Sequence, residues 1–249
     1  MKIHGLQKMT LLDFPGKVAC TVFLGGCDMR CPFCHNWEIV DASSPAVMDE
    51  EELFKFLEGR KGLLDGVAFT GGEPLLRKEL PEIMKRVRDM GFMIKLDTNG
   101  NHPDELVRVV EAGLVDYVAM DIKNSPERYG ETIGLPGFDI SKIRENIDYL
   151  ISKGNQSGSK SDEQDKPSTD KSSDFGYEFR TTVVKQFHDE DSFRGIAELI
   201  KGADKYFLQG FVDRDTVPFS GLQGVSEDKM KCFSDIVRPY VNSVEIRGF

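Results

Sequence analysis

Apolar residues in this chain follow two alternating rhythms. Short β-branched or apolar runs at residues 18–24, 67–70, 92–97, 115–121, 177–185, 206–211 and 243–247 read as strands. Between them, apolar positions recur at three- and four-residue spacing, the spacing of amphipathic helices, over residues 49–59, 80–90, 103–112, 141–153, 192–201 and 226–238. The punctuation agrees. Gly91 and Gly113 follow helical runs, and Pro103 stands at a first helical position. Residues 1–16 read as a lead-in that ends in the turn Phe14-Pro15-Gly16.

Strands alternating with helices of ten to fifteen residues predict βα units and a parallel sheet. Right-handed crossovers would curl that sheet into a partial (β/α)6-type barrel of mainly parallel strands with helices outside. The length, 249 residues, suits one domain spanning 1–249. Residues 154–176 depart from the scheme, being rich in Ser, Asp, Lys, Gln and Gly with almost no apolar side chains. Such a segment buries too little surface to offset chain entropy, and a flexible, solvated insertion is expected there.

Charge removes some function classes. A net charge of −10 and a pI near 5.0 argue against a nucleic-acid binder. No apolar run approaches the ~20 residues that span a bilayer, and the first residues show no signal-peptide pattern. A cytoplasmic protein with no membrane partner is expected.

The chemistry concentrates in Gly25-Gly26-Cys27-Asp28-Met29-Arg30-Cys31-Pro32-Phe33-Cys34-His35-Asn36, where three of five cysteines fall within eight residues. A structural zinc site has four protein ligands, whereas a reactive metal keeps one position open. No fourth cysteine lies nearby. The loop follows the first predicted strand. Gly71-Gly72-Glu73-Pro74 follows the second, Asp97-Thr98-Asn99-Gly100 closes the third, and Asp121-Ile122-Lys123 ends the fourth. In a βα barrel those strand ends form the reactive rim. Cys20 and Cys232 stand outside any motif and read as structural.

A Cys-x3-Cys-x2-Cys loop with Phe33 before its last cysteine, followed by Gly71-Gly72-Glu73-Pro74, resembles the signature of the radical S-adenosylmethionine (SAM) superfamily. The resemblance covers nearly the whole chain apart from 154–176. It implies that Cys27, Cys31 and Cys34 bind three irons of a [4Fe-4S] cluster, whose fourth iron chelates SAM. Adding Cys34-His35-Asn36 and the runs around Asp97 and Asp121, the chain looks like the glycyl-radical-enzyme activases. Leu11-Leu12-Asp13-Phe14-Pro15-Gly16 and Val244-Glu245-Ile246-Arg247-Gly248 most resemble the activating proteins of anaerobic ribonucleoside-triphosphate reductase.

Residue roles follow from that resemblance. Gly71 and Gly72 would admit the methionine moiety of SAM to the backbone, and Glu73 would accept from its ammonium group. Asp97, Thr98 and Asp121 would help hold a monovalent cation beside the SAM carboxylate, and Lys123 would contact SAM oxygens. Each of these four also reads as an ordinary loop polar residue. Arg180 would reach the cofactor or form an ion pair. Phe33 would lie near adenine or shield the cluster. His35 stands too close to Cys34 for a fourth ligand and reads as a hydrogen-bonding residue or as one with no role in the site. No side chain is needed as an acid or base. The implied partners are a glycyl-radical enzyme, with anaerobic ribonucleotide reductase first, and a flavodoxin or ferredoxin as electron donor. Two alternatives keep the radical chemistry: a pyruvate-formate-lyase-like target, or a small molecule such as a modified nucleobase precursor. A zinc-binding module with a distant fourth ligand accounts for the cysteines alone.

Overall fold

The computed structural model describes residues 1–158 and 175–248. It confirms an α/β chain with mainly parallel strands. Contacts divide the chain into two compact units, one of residues 1–28 and 36–118, the other of residues 29–35 and 119–249.

The first unit opens with β1 (Lys2–Ile3) and β2 (Gly5–Thr10), then β3 (Ala19–Leu24), β4 (Met48–Asp49), α1 (Glu50–Glu58), β5 (Gly66–Gly71), α2 (Leu80–Asp89), β6 (Met93–Thr98) and α3 (Pro103–Glu111). β3 and β5 run parallel with Ala19 opposite Gly66 and Leu24 opposite Gly71; β5 and β6 run parallel with Ala68 opposite Lys95. β2 lies antiparallel on the outer side of β3, and β1 pairs with β4. Neither pairing was expected. β2 is GLQKMT with Gln7, Lys8 and Met9 exposed, so no apolar face announces it.

Alternation sorts the central strands into two faces. Cys20, Val22, Leu24, Val67, Phe69, Ile94 and Leu96 share one face and are all fully buried. Each such large apolar side chain contributes about 1.5–3 kcal/mol by leaving water. The other face carries Thr21, Ala68, Thr70, Lys95 and Asp97, which are small, polar or charged, together with the aromatic Phe23. At the N-terminal end of these strands Phe14 packs with Ala19 and Tyr117. α1 starts in a reciprocal capping box, Asp49 accepting from the Glu52 amide and Glu52 from the Asp49 amide.

The second unit takes most of β7 (Tyr117–Asp121), with α4 (Tyr129–Thr132), α5 (Ser141–Gly158), β8 (Gly176–Val183), α6 (Glu190–Leu199), β9 (Lys205–Gly210), α7 (Glu227–Val237) and β10 (Ser243–Arg247). β8, β9 and β10 are parallel, Phe179 opposite Tyr206 and Tyr206 opposite Val244. The Ile122 amide donates to the Arg180 carbonyl at 2.8 Å, tying the end of β7 to β8. Phe193 of α6 stacks on Phe233 of α7 at 4.2 Å.

The expected insertion shrinks at both ends. α5 continues through Gly158, and Gly176 already belongs to β8; residues 159–174 lie outside the described residues. Gly154 is a packing residue. A Cβ there would collide with the Tyr177 ring, so the missing side chain lets helix and strand approach.

Candidate cofactor site

In the first unit the cysteine loop begins on a backbone clamp. Gly26 N donates to Ile39 O and Cys27 N to Val40 O, both at 2.7 Å. Gly72 N donates to Leu24 O and Glu73 N to Gly26 O, both at 2.8 Å. A Cβ on Gly71, whose φ is +120°, would run into the Leu24 backbone; one on Gly72 would meet the Gly26 carbonyl and the Cys27 Cβ. The space saved by both glycines is thus taken by the end of β3 and the start of the cysteine loop. Asn36 seals the arrangement, its Nδ2 donating to Gly71 O at 2.8 Å.

Glu73 is fully buried. Its Oε1 accepts from Leu75 N and Thr98 Oγ1 at 3.0 Å, and its Oε2 from Asn99 N at 2.6 Å. Burial pushes its carboxyl up to about 7, while the three donors pull it back toward the ionised form. A carboxylate offers about four lone-pair positions, and the protein uses three. The remaining one is capacity for a further donor on a side chain that the protein fully encloses.

Asp28, inside the cysteine loop, is a second hub. It accepts from Asn99 Nδ2 at 2.8 Å and Asn101 Nδ2 at 2.6 Å, and pairs with His102 Nε2 at 3.1 Å. Burial pushes Asp28 up, but His102, Asn101 and Asn99 outweigh it and hold the carboxyl well below the usual range. Its bond to Asp28 raises His102 in turn. Asn99 Nδ2 also stands 3.9 Å from Cys27 Sγ, a donor aimed at sulfur. The sequence assigns a site role to none of Asp28, Asn99, Asn101 and His102. His102 does precede α3, yet its ring bonds Asp28 instead of capping the helix. The signal was an acid within the cysteine loop and three polar side chains within four residues after β6.

In the second unit Cys31 is buried, and burial pushes its thiol up to about 11. Iron binding would take the proton off, as coordinated thiols are deprotonated outright. Phe33 is buried against Phe187, ring centres 5.7 Å apart. His35 stacks on Phe211 and its Nε2 lies 2.8 Å from Val212 O, a hydrogen-bonding role. Asp121 receives Arg180 Nε at 2.5 Å on Oδ1 and Lys123 Nζ at 2.7 Å on Oδ2. Burial acts against its charge, yet Arg180 and Lys123 prevail and hold its carboxyl far below the usual range. Two cations thus answer one carboxylate at the end of β7.

Cys20 is buried in β3 with its thiol pushed up to about 12, and Cys232 lies in α7, both outside the loop as expected. Three thiols on one loop have the chemistry for an iron–sulfur cluster; Cys27 is fixed through its amide to Val40 O and its Sγ faces the Asn99 side-chain amide, while among the described residues no three His, Cys, Asp or Glu side chains stand together closely enough to hold a metal ion. The implied monovalent cation fits less well. Asp97 already carries an ion pair with Lys95, Asp121 is answered by Lys123 and Arg180, and the Thr98 hydroxyl is engaged by Glu73 and the Gly100 amide.

A mainly parallel α/β chain with these loops at its strand ends has the build of a SAM-cleaving iron–sulfur protein. The chain belongs to the Radical SAM superfamily, whose family pattern matches residues 21–161. It is 31% identical to a Methanocaldococcus jannaschii protein named as a glycyl-radical enzyme activating enzyme, covering 98% of this chain and 95% of that one. It is 34% identical to the pyruvate formate-lyase-activating enzyme of Clostridium pasteurianum over 60% of this chain and 66% of that one. With the 7-carboxy-7-deazaguanine synthase of Thermococcus kodakarensis it shares 33% identity over 52% of this chain and 58% of that one. Its fold is similar to that of Streptococcus suis SuiB bound to its precursor peptide SuiA, with TM-score 0.66 and 11% identity, covering 92% of this chain. The chain spans about half the length of that structure, 48%.

Proposed function

We propose that this chain is a glycyl-radical-enzyme activase that cleaves SAM reductively and removes a hydrogen atom from a glycine of anaerobic ribonucleoside-triphosphate reductase. The reading is supported by the cysteine loop locked onto Gly71-Gly72-Glu73, together with 31% identity, over 98% of the chain, to a protein named as such an activating enzyme. The narrower target rests on Leu11-Leu12-Asp13-Phe14-Pro15-Gly16 and on the terminal Val244-Glu245-Ile246-Arg247-Gly248. When bound on Cys27, Cys31 and Cys34, a [4Fe-4S] cluster supplies a one-electron reductant and an open iron position for SAM.

The protein's own work is placement. Lys123 and Arg180, which both pair with Asp121, would contact the SAM carboxylate. Glu73 takes the ammonium on its remaining lone pair. Gly71 and Gly72 hold the loop close to β3, and Thr98 favours the ionised form of Glu73 by donating to it, against the effect of burial. Phe33 screens the cysteines from water or meets adenine. A flavodoxin or ferredoxin would deliver the electron.

Anaerobic reconstitution with iron and sulfide, then reduction with SAM, is expected to yield 5′-deoxyadenosine above a Cys31→Ala control. An EPR assay on candidate partners then separates the targets. A glycyl doublet on the reductase supports this assignment, and one only on a pyruvate-formate-lyase-like enzyme moves the target. A second reading, a small nucleobase-like substrate, is favoured by the similarity to the deazaguanine synthase; 5′-deoxyadenosine without a radical on either enzyme would select it.

A further inference from the structure

β6 carries a charged residue where a strand of this kind has little place for one. Lys95 is 2% exposed, stands opposite Ala68 of β5, and is flanked by Ile94 and Leu96. A buried ammonium is tolerated only when a partner answers its charge. Here the partner is Asp97, two residues on and on the same face of the strand, with its side chain 14% exposed. The pair therefore runs from the interior to the C-terminal end of β6, next to Thr98 and Asn99, which bind Glu73 and Asp28. Small neighbours make the room, since Gly66 and Ala68 are the β5 residues alongside Met93 and Lys95.

An ammonium and a potassium ion carry the same charge, are similar in size and seek the same oxygen donors. The difference is that the lysine is tethered. We propose that Lys95 is a resident counter-ion for Asp97, supplying the positive charge that a bound monovalent cation would otherwise bring, so that SAM binding in this chain is independent of potassium and sodium. The Thr98 hydroxyl fits this assignment, because it donates inward to Glu73 and accepts from Gly100 N. The inference rests on the SAM-binding reading above for its consequence, though not for the ion pair itself.

Two measurements on the reconstituted protein test it, each in potassium, sodium or choline chloride at equal ionic strength. Equilibrium dialysis with labelled SAM should give wild-type affinities within twofold across the three salts. Lys95→Met should bind at least tenfold more weakly in choline and recover most of the loss in potassium. The double variant Lys95→Met/Asp97→Asn should show no such salt preference. Thermal melts without SAM provide the second readout: potassium should raise the Lys95→Met melting temperature above its value in choline and leave wild type unmoved. A tenfold gain in wild-type affinity on adding potassium would overturn the proposal, as would a Lys95→Met protein indifferent to salt in both measurements. Absence of any SAM binding to wild type would count against the activase reading, and the melts would then decide the role of Lys95 alone.

Discussion

Replacing Glu73 with glutamine removes a charge and one acceptor from a group that is fully buried and receives three donors. An amide accepts through one oxygen only. With that oxygen at the Oε1 position, the new NH2 faces Asn99 N; with the amide turned, it faces Leu75 N. The Thr98 hydroxyl can rotate in either case, but one backbone N–H is left buried without an acceptor. Such a loss costs about 1–3 kcal/mol, and the surviving bonds lose their charge assistance, so a destabilisation of roughly 2–3 kcal/mol follows. For a chain of this length each kcal/mol moves the melting temperature by about 2–4 °C. Glu73→Gln should therefore melt roughly 4–12 °C below wild type. Hydrogen exchange localises the effect: the Asn99 amide should lose protection while the β8 amides keep theirs. A melt within 1 °C of wild type with Asn99 still protected would refute the reasoning.

Further outcomes follow from other sites. Because burial raises Glu73 from its ordinary 4.5 to about 7, the folded chain holds a proton between those values that the unfolded chain has released. Stability should fall as pH rises through that window, by up to about 3 kcal/mol, and urea titrations of Glu73→Gln should show a flatter profile there. Asp121 has the opposite sign, its pKa being depressed by Arg180 and Lys123. Its contribution is present above the ordinary carboxylate range and lost as pH falls below about 4; Asp121→Asn should cost about 1–3 kcal/mol at neutral pH in urea unfolding, below the figure for a fully buried pair because the groups are partly exposed. Gly154→Ala should destabilise by about 1–3 kcal/mol through collision with the Tyr177 ring, whereas an unpacked helical glycine would gain up to about 1 kcal/mol from the same change. Gly72→Ala should lower iron bound after reconstitution by more than half, read by iron and sulfide assay, because its Cβ would push the Gly26 carbonyl and Cys27 apart.

The parallel strands and the longer helices were legible because their side chains are sorted by water: β3, β5 and β7 are nearly all apolar, and α2 and α3 present one apolar stripe each. What escaped was held by other forces. β2 is an edge strand fixed by backbone pairing to β3, with polar side chains outward. α4 has four residues, anchored by the buried Tyr129 and by Asn124 donating to Thr132 Oγ1. In the candidate site, residue spacing announced the cysteines and the loops at strand ends. It did not say that Glu73 would be shared by Thr98 and Asn99, or that Asp28 would gather three donors, since those bonds join residues 25 to 74 positions apart. Lys95 read as one polar letter inside an apolar strand; only its burial against Asp97 exposes its charge as a requirement.

The hydrogen bonds from Gly72 to Leu24 and from Glu73 to Gly26 have a consequence for how such a centre is inherited or transplanted. Two segments separated by more than forty residues of chain meet backbone to backbone, with no side chain between them to absorb a misfit. They behave as a single machined part cut from two pieces of sequence. Grafting the three cysteines onto another scaffold without the glycine pair would transfer the ligands and leave behind the seat that holds the first of them. Any drift in one segment would need an answering change in the other, so the two should alter together or stay as they are.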